Sequence, residues 1–455
     1  MYKENSFKLF IKYALPQMFG LLLNSVYLIV DGIFIGNRLG RDAMAAAAVS
    51  VPVVEFLIAI SLAVSSGAGI IISSYLGKDK NEDANKTFNL SILVLGLISI
   101  IIVVFGNIFI NGIANLLGST PDIHDQAVTY LWYILTFSPF LLFSFLLSGL
   151  ARNDNKPKLA MIALVVGSVS NIVLDYVFMY PLNMGIAGAA LATALGPIFS
   201  VLILLPHFIS KKGFLYFTKP IISHLVEKVR EIVRMITLGF PAFIMEFTIG
   251  IVTFIYNYTI IKNGYGEIGL AAYLVIGYLS LIILTVFLGI SQGLQPIFSY
   301  FNGREDAKRN KDLINFSVKA VTGIGILIYV LVVLFAKPFI TIFSPDDIEL
   351  INFTYDKTLL YFWGFVFAGL NILFISFFQS VRETKSALVL SLSRGLIVLP
   401  IFNLIFPIFL GANVIWFGHS IAETVTAIFA ILFFVKYYKK YFLSVKLHKN
   451  KGLSS

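Results

Sequence analysis

Three features of the sequence predict an all-α polytopic membrane protein with twelve transmembrane helices in two six-helix lobes. They are an excess of apolar residues, the division of that excess into helix-length runs, and a repeat that halves the chain. Of 455 residues, 58% are hydrophobic and 13% charged, and the mean hydropathy is +0.89. A soluble domain is roughly 45–50% apolar and about 25% charged. A helix crossing a bilayer takes about 20 mostly apolar residues. Twelve such runs occur, at 14–36, 43–72, 88–110, 128–150, 159–180, 185–208, 237–262, 269–298, 314–337, 358–380, 386–408 and 412–436. They leave no room for a sizeable soluble domain.

Taken in order, the chain opens with charged residues ahead of an apolar run that is long, carries Pro16 and lacks a small-residue cleavage site. It reads as a retained first helix, not a signal peptide. Counting the connecting segments alternately from the N-terminus, one set holds 27 of the 34 Lys and Arg, while the other holds only Arg38, Arg41, Lys262, Lys337 and Lys357. That bias predicts both termini in the cytoplasm. The net charge of +10 is then topological, with attraction to anionic lipid as a by-product and no nucleic-acid partner implied. Helices 1–6 make an N-lobe, 1–210, and helices 7–12 a C-lobe, 236–440. Between them, 211–235 reads as an amphipathic cytoplasmic linker, with Ile222, Leu225, Val226, Val229, Ile232 and Val233 at helical spacing. Residues 441–455 form a cytoplasmic tail. The absence of cysteine removes disulfides, thiolate metal sites and thiol nucleophiles.

The repeat rests on three anchors. Gly67–Gly77 aligns with Gly293–Gly303 at an offset of 226, Pro16 with Pro241 at 225, and Arg152–Lys156 loosely with Val381–Lys385 at 229. An even number of helices per copy returns the chain to its starting side, so the halves are parallel repeats with substrate expected between them.

Ionisable groups are costly in hydrocarbon and usually functional. Asp31 in helix 1 and Asp175 in helix 5 each lie five residues before the outer end of their helix, ~7–8 Å deep at about 1.5 Å per residue. Asn171 is one turn below Asp175, and Thr193 of the inward-running helix 6 falls at a similar depth. Two carboxylates, an amide and a hydroxyl suit a hard monovalent cation such as Na⁺, or a proton shared between acids that resist joint ionisation. The alternative is that both aspartates face water in an outer vestibule. Glu55 and Glu246 fall nearer mid-membrane, where a cationic substrate or a proton could use them; each could instead pair with a neighbouring helix. Arg394 and Glu423, in adjacent helices, read as a structural ion pair. No metalloprotease, serine-hydrolase or nucleotide-binding motif is present, so an enzyme is not expected, and transport would draw on an ion gradient.

The residues Arg152–Pro157, Gly167-Ser-Val-Ser-Asn171-Ile-Val-Leu-Asp175-Tyr-Val-Phe178 and Gly185-Ile-Ala-Gly-Ala-Ala-Leu-Ala-Thr193, with Pro16 and Asp31–Gly36 in helix 1, resemble the MATE (multidrug and toxic compound extrusion) family, and within it the MepA type of bacterial exporter. The likeness covers essentially the whole chain and is most specific in helix 5. It implies two lobes around a V-shaped cavity, alternating access, and efflux of amphipathic, often cationic drugs across the bacterial inner (plasma) membrane. Na⁺ or H⁺ is the implied coupling ion, with no other cofactor and a monomeric chain. It further implies a cation site at Asp31, Asn171, Asp175 and Thr193, and that Pro16 permits helix 1 to bend when that site is protonated or filled. Some family members add an acidic pair from helices 7 and 10. Glu246 is a counterpart of the first, but helix 10 offers Asn371 and no carboxylate, so a C-lobe ion site is not expected. A lipid-linked oligosaccharide flippase of the same superfamily is the alternative, although it would call for cationic side chains in the cavity.

Overall fold

The computed structural model describes residues 3–218, 225–343 and 347–443. The described residues are almost entirely helical: α1 Ser6–Leu39, α2 Arg41–Gly77, α3 Asn81–Ile108, α4 His124–Asn153, α5 Pro157–Met179, α6 Gly185–Ile209, α7 Leu225–Lys262, α8 Gly266–Gly303 and α9 Ala307–Phe343. The tenth is the bent pair Ile348–Phe362 and Phe365–Ser380, here α10, followed by α11 Thr384–Leu410 and α12 Ala412–Phe442. A short helix, Ile110–Leu116, precedes α4. Ten of these are long and apolar enough to cross a membrane, and twelve when the bent α4 and α10 each count as one span.

The two bends have identifiable causes. In α4 the axis turns by 47° between Thr136 and Ser138, where Pro139 has no N–H to give the preceding turn. The Ser138 hydroxyl donates to the Leu135 carbonyl instead, at 2.8 Å. In α10 the axis turns by 42° at Trp363–Gly364, and Ser420 of α12 closes the gap. Its Oγ donates to the Tyr361 carbonyl at 2.7 Å and accepts from the Gly364 N–H at 2.8 Å. In α11, Ser393–Ile397 widen into a π-helical turn.

The chain divides into two compact units, Ile11–Glu246 and Phe247 onward, the second including Tyr2–Phe10. The division falls inside α7, because its first half packs on α2. A side chain at Gly67 would collide with the Met235 carbonyl, and one at Gly239 with the Ala63 carbonyl. In the predicted linker, Gly213–Thr218 run non-helically along α3, with the Tyr216 and Thr218 amides donating to Asn85 and Asn89 at 2.8 and 3.0 Å. Leu225 to Met235 begin α7, with Val229 and Val233 exposed. Residues 219–224, including Ile222, the side chains of Leu225 and Val226, and 444–455 of the predicted tail lie outside the described residues.

Candidate functional site

The site in the first unit is built on α1 and α5, which run side by side and parallel. Gly20 meets Leu164, the Phe34 ring lies 5.9 Å from Tyr180, and Arg38 donates to the Met179 carbonyl at 3.3 Å. A near-constant separation of about 144 in sequence therefore pairs the two helices, and it brings Asp31 to Asp175. The two carboxyl groups lie within hydrogen-bonding reach of one another. Both are buried, at 8% and 0% exposure, and Asp31 Oδ1 and both Asp175 oxygens have no hydrogen-bond donor. Carboxylate oxygens only accept, so a shared proton or a cation is what would satisfy the pair.

Asn171 sits one turn below Asp175, 2% exposed, with its Oδ1 and Nδ2 both unpartnered. Thr193 reaches the same layer because α5 and α6 approach closely. A side chain at Gly196 would stand 3.0 Å from the Gly167 carbonyl, and one at Gly167 would strike the Ser200 hydroxyl. Thr193 Oγ1 lies 3.3 Å from the Tyr130 hydroxyl of α4. Tyr27, one turn below Asp31, shares a cavity wall with Asn171 and Thr193. Tyr27 and Tyr130 both stand close enough to the aspartates to feel their charge. Sequence reasoning missed these two tyrosines. The signal for Tyr27 was present, since it precedes Asp31 by the same four residues that separate Asn171 from Asp175.

The remaining candidates sort differently. Glu55 of α2 and Glu246 of α7 meet within hydrogen-bonding reach, next to an edge-on Phe56–Phe243 contact at 6.0 Å. Both belong to the first unit. Asn371 lies in the second, where it donates to Glu423 Oε2 at 2.7 Å and to the Glu423 carbonyl at 2.8 Å. The other carboxylate oxygen takes Arg394 Nε at 2.8 Å and Nη2 at 2.7 Å, and His419 Nε2 lies 4.0 Å away. Asn371 is thereby committed to an acid already neutralised by a guanidinium. α1 runs unbroken through Pro16. Among the described residues, no three His, Cys, Asp or Glu side chains converge as a metal-binding group.

A family model described as MatE matches residues 16–177 and again 241–405. The multidrug export protein MepA of Staphylococcus saprophyticus is 26% identical over 435 residues, covering 94% of each chain. The protein of the same name from Staphylococcus haemolyticus is 26% identical over 436 residues, again 94% of each. Among solved structures, a MATE in the bent conformation superposes with a TM-score of 0.88 at 22% identity, covering 97% of each chain. A MATE in the straight conformation gives 0.87 at 22% identity, with 95% of this chain and 96% of that one covered. These structural likenesses are of fold. The two family matches are offset by 225 at their starts and 228 at their ends, in agreement with the internal repeat. At those offsets Asp31 corresponds to Tyr256 and Asp175 to Asn403. Tyr256 accepts from the His419 N–H at 2.8 Å. The second unit thus carries uncharged side chains where the first carries its acid pair.

Proposed function

Because the chain belongs to the MatE family, we propose that it is a secondary active exporter that expels amphipathic, cationic small molecules in exchange for Na⁺ or H⁺ by alternating access. The observation carrying this reading is the Asp31–Asp175 pair: both buried, three of their four carboxylate oxygens without a donor, and adjacent to the unpartnered amide of Asn171. Removing two carboxylates from water is costly without a compensating positive charge. Asp31, Asp175, Asn171 and Thr193 supply oxygen ligands of the kind a hard monovalent cation takes, and the two acids alone suffice for a proton. No ligand of this set suggests chemistry on the substrate, and the reading is of a transporter rather than an enzyme. The MepA names of its relatives support small-molecule drugs as cargo.

The Lys and Arg bias supports a multi-pass protein of a bacterial plasma membrane with both ends in the cytoplasm, acting as a monomer. The flippase alternative would need free cations to hold a phosphate, whereas Arg394 is engaged by Glu423 and the buried Arg152 by Gln17 and Ser148. The test is ethidium efflux from proteoliposomes under an imposed Na⁺ or H⁺ gradient. Wild type should be driven by one of them, and Asp31→Asn should lose that drive. Efflux indifferent to both gradients, or a fully driven Asp31→Asn, overturns the proposal.

A further inference from the structure

The parallel register of α1 and α5 extends below the acid pair. Asn24 and Ser168 each precede their aspartate by seven residues, two turns or ~10 Å along the helix at about 1.5 Å per residue. Three pairs of positions therefore stack in order: Asp31 with Asp175, Tyr27 with Asn171, Asn24 with Ser168. The lower two pairs open onto one small cavity of about 30 Å³, whose other walls include Ser144, Thr193 and Ser200. The Ser144 and Ser200 hydroxyls are engaged with the Leu141 and Ala163 carbonyls. Ser168 Oγ and both polar atoms of Asn171 have no partner, although these residues are only 3% and 2% exposed.

A buried polar group without a partner is costly. Water occupies a cavity when the space is polar, exceeds about 10–15 Å³ and offers each molecule two to four partners. This cavity meets these conditions. Its lining also carries no formal charge, in contrast to the aspartates above it.

We propose that the cavity bounded by Asn24, Ser144, Ser168 and Asn171 is a water-filled passage through which the coupling ion leaves the aspartate pair toward the N-terminal ends of α1 and α5. This rests on the ion-coupled reading above. A neutral, hydrated passage lowers the cost of pulling the ion from the acids without holding it in transit, as amide and hydroxyl oxygens replace carboxylate ligands one or two at a time. Asn171 belongs to both the ion site and the passage, which makes it the first step of exit.

Two measurements test this, and the first is independent of transport. In the full chain reconstituted in nanodiscs, X-ray hydroxyl-radical labelling should modify Tyr27 and Phe145, which line the cavity, well above the fully buried Phe88. Ser168→Leu, which fills the cavity, should suppress labelling of Phe145. Labelling of Tyr27 and Phe145 no greater than that of Phe88 in wild type means a dry cavity and overturns the proposal, whatever drives efflux. The second is ethidium efflux from proteoliposomes. Ser168→Leu should slow turnover by about tenfold if release through the passage limits the cycle, with the half-saturating external Na⁺ or H⁺ concentration changed less than about threefold. Ser168→Ala, which keeps the space but removes one hydroxyl, should slow turnover less than Ser168→Leu and leave the labelling of Phe145 at the wild-type level. Should Ser168→Leu fail to fold, Asn24→Leu blocks the opposite wall with the same expected result. A wet cavity whose filling leaves turnover at the wild-type value overturns the passage. A wild type that neither ion drives defeats the ion-coupled reading and the passage together, and the labelling then separates a wet cavity from a dry one.

Discussion

Asp31 and Asp175 differ from the other buried acid described here, Glu423, in what surrounds them. Glu423 has a donor on each oxygen, from Arg394 and Asn371, while Asp31 Oδ1 and both oxygens of Asp175 have none. The same chemical group should therefore respond to substitution in opposite ways. Asp31→Asn and Asp175→Asn should each reduce ion-driven efflux roughly tenfold or more, since coupling between two ligands depends on the site that senses one of them. Both should fold normally, as an amide supplies the donor that the pair lacks. Thr193→Val should give a smaller loss, having removed one neutral ligand; dye efflux from proteoliposomes reads all three. Arg394→Met should instead destabilise the protein by about 3–5 kcal/mol by leaving a buried carboxylate unpaired. Much of that stability should return in Arg394→Met combined with Glu423→Met, because the apolar pair leaves no charge behind. Thermal unfolding in detergent measures the cycle, and an Arg394→Met protein as stable as wild type would contradict it.

At the scale of the element, the close approach of α5 and α6 holds Thr193 beside Asn171, and it depends on the absence of side chains at Gly167 and Gly196. Gly196→Leu should push the helices apart, lower the melting temperature and abolish ion-driven efflux. An unchanged melting curve would show the contact to be dispensable. Much of this architecture was legible in the sequence. The helices followed from apolar runs of bilayer length. Asp31, Asn171, Asp175 and Thr193 stood out because charges are rare at depth and helical rise converts residue number into height. The bend in α4 could be anticipated from Pro139. Other features were hidden because they depend on partners remote in sequence. The break in α10 is closed by a serine of α12, 56 residues away. Glu55 and Glu246 were legible one by one, but nothing local announces that α2 and α7 cross where these acids meet. Tyr27 was passed over because a tyrosine in an apolar helix is ordinary until its register with Asp31 is compared with that of Asn171 and Asp175.

For the whole molecule, the sidedness inferred from Lys and Arg is directly testable because the chain has no cysteine. Single cysteines at Lys80, Lys156 and Lys308 should resist a membrane-impermeant maleimide in intact cells and react after lysis, whereas one at Arg41 or Lys357 should react from outside. The opposite pattern would invert the topology, and with it the direction of every step proposed above. The repeat that predicted the architecture also marks where the halves part company. At the positions of Asp31 and Asp175 the second unit has Tyr256 and Asn403, and its buried acid is held by Arg394. On the proposed reading, an ion that binds and leaves alters the charge of the first unit alone. A membrane potential, worth about 2.3 kcal/mol per elementary charge at 100 mV, then acts on one half of a nearly symmetric machine. On the same reading the second unit adds no ion-dependent charge of its own.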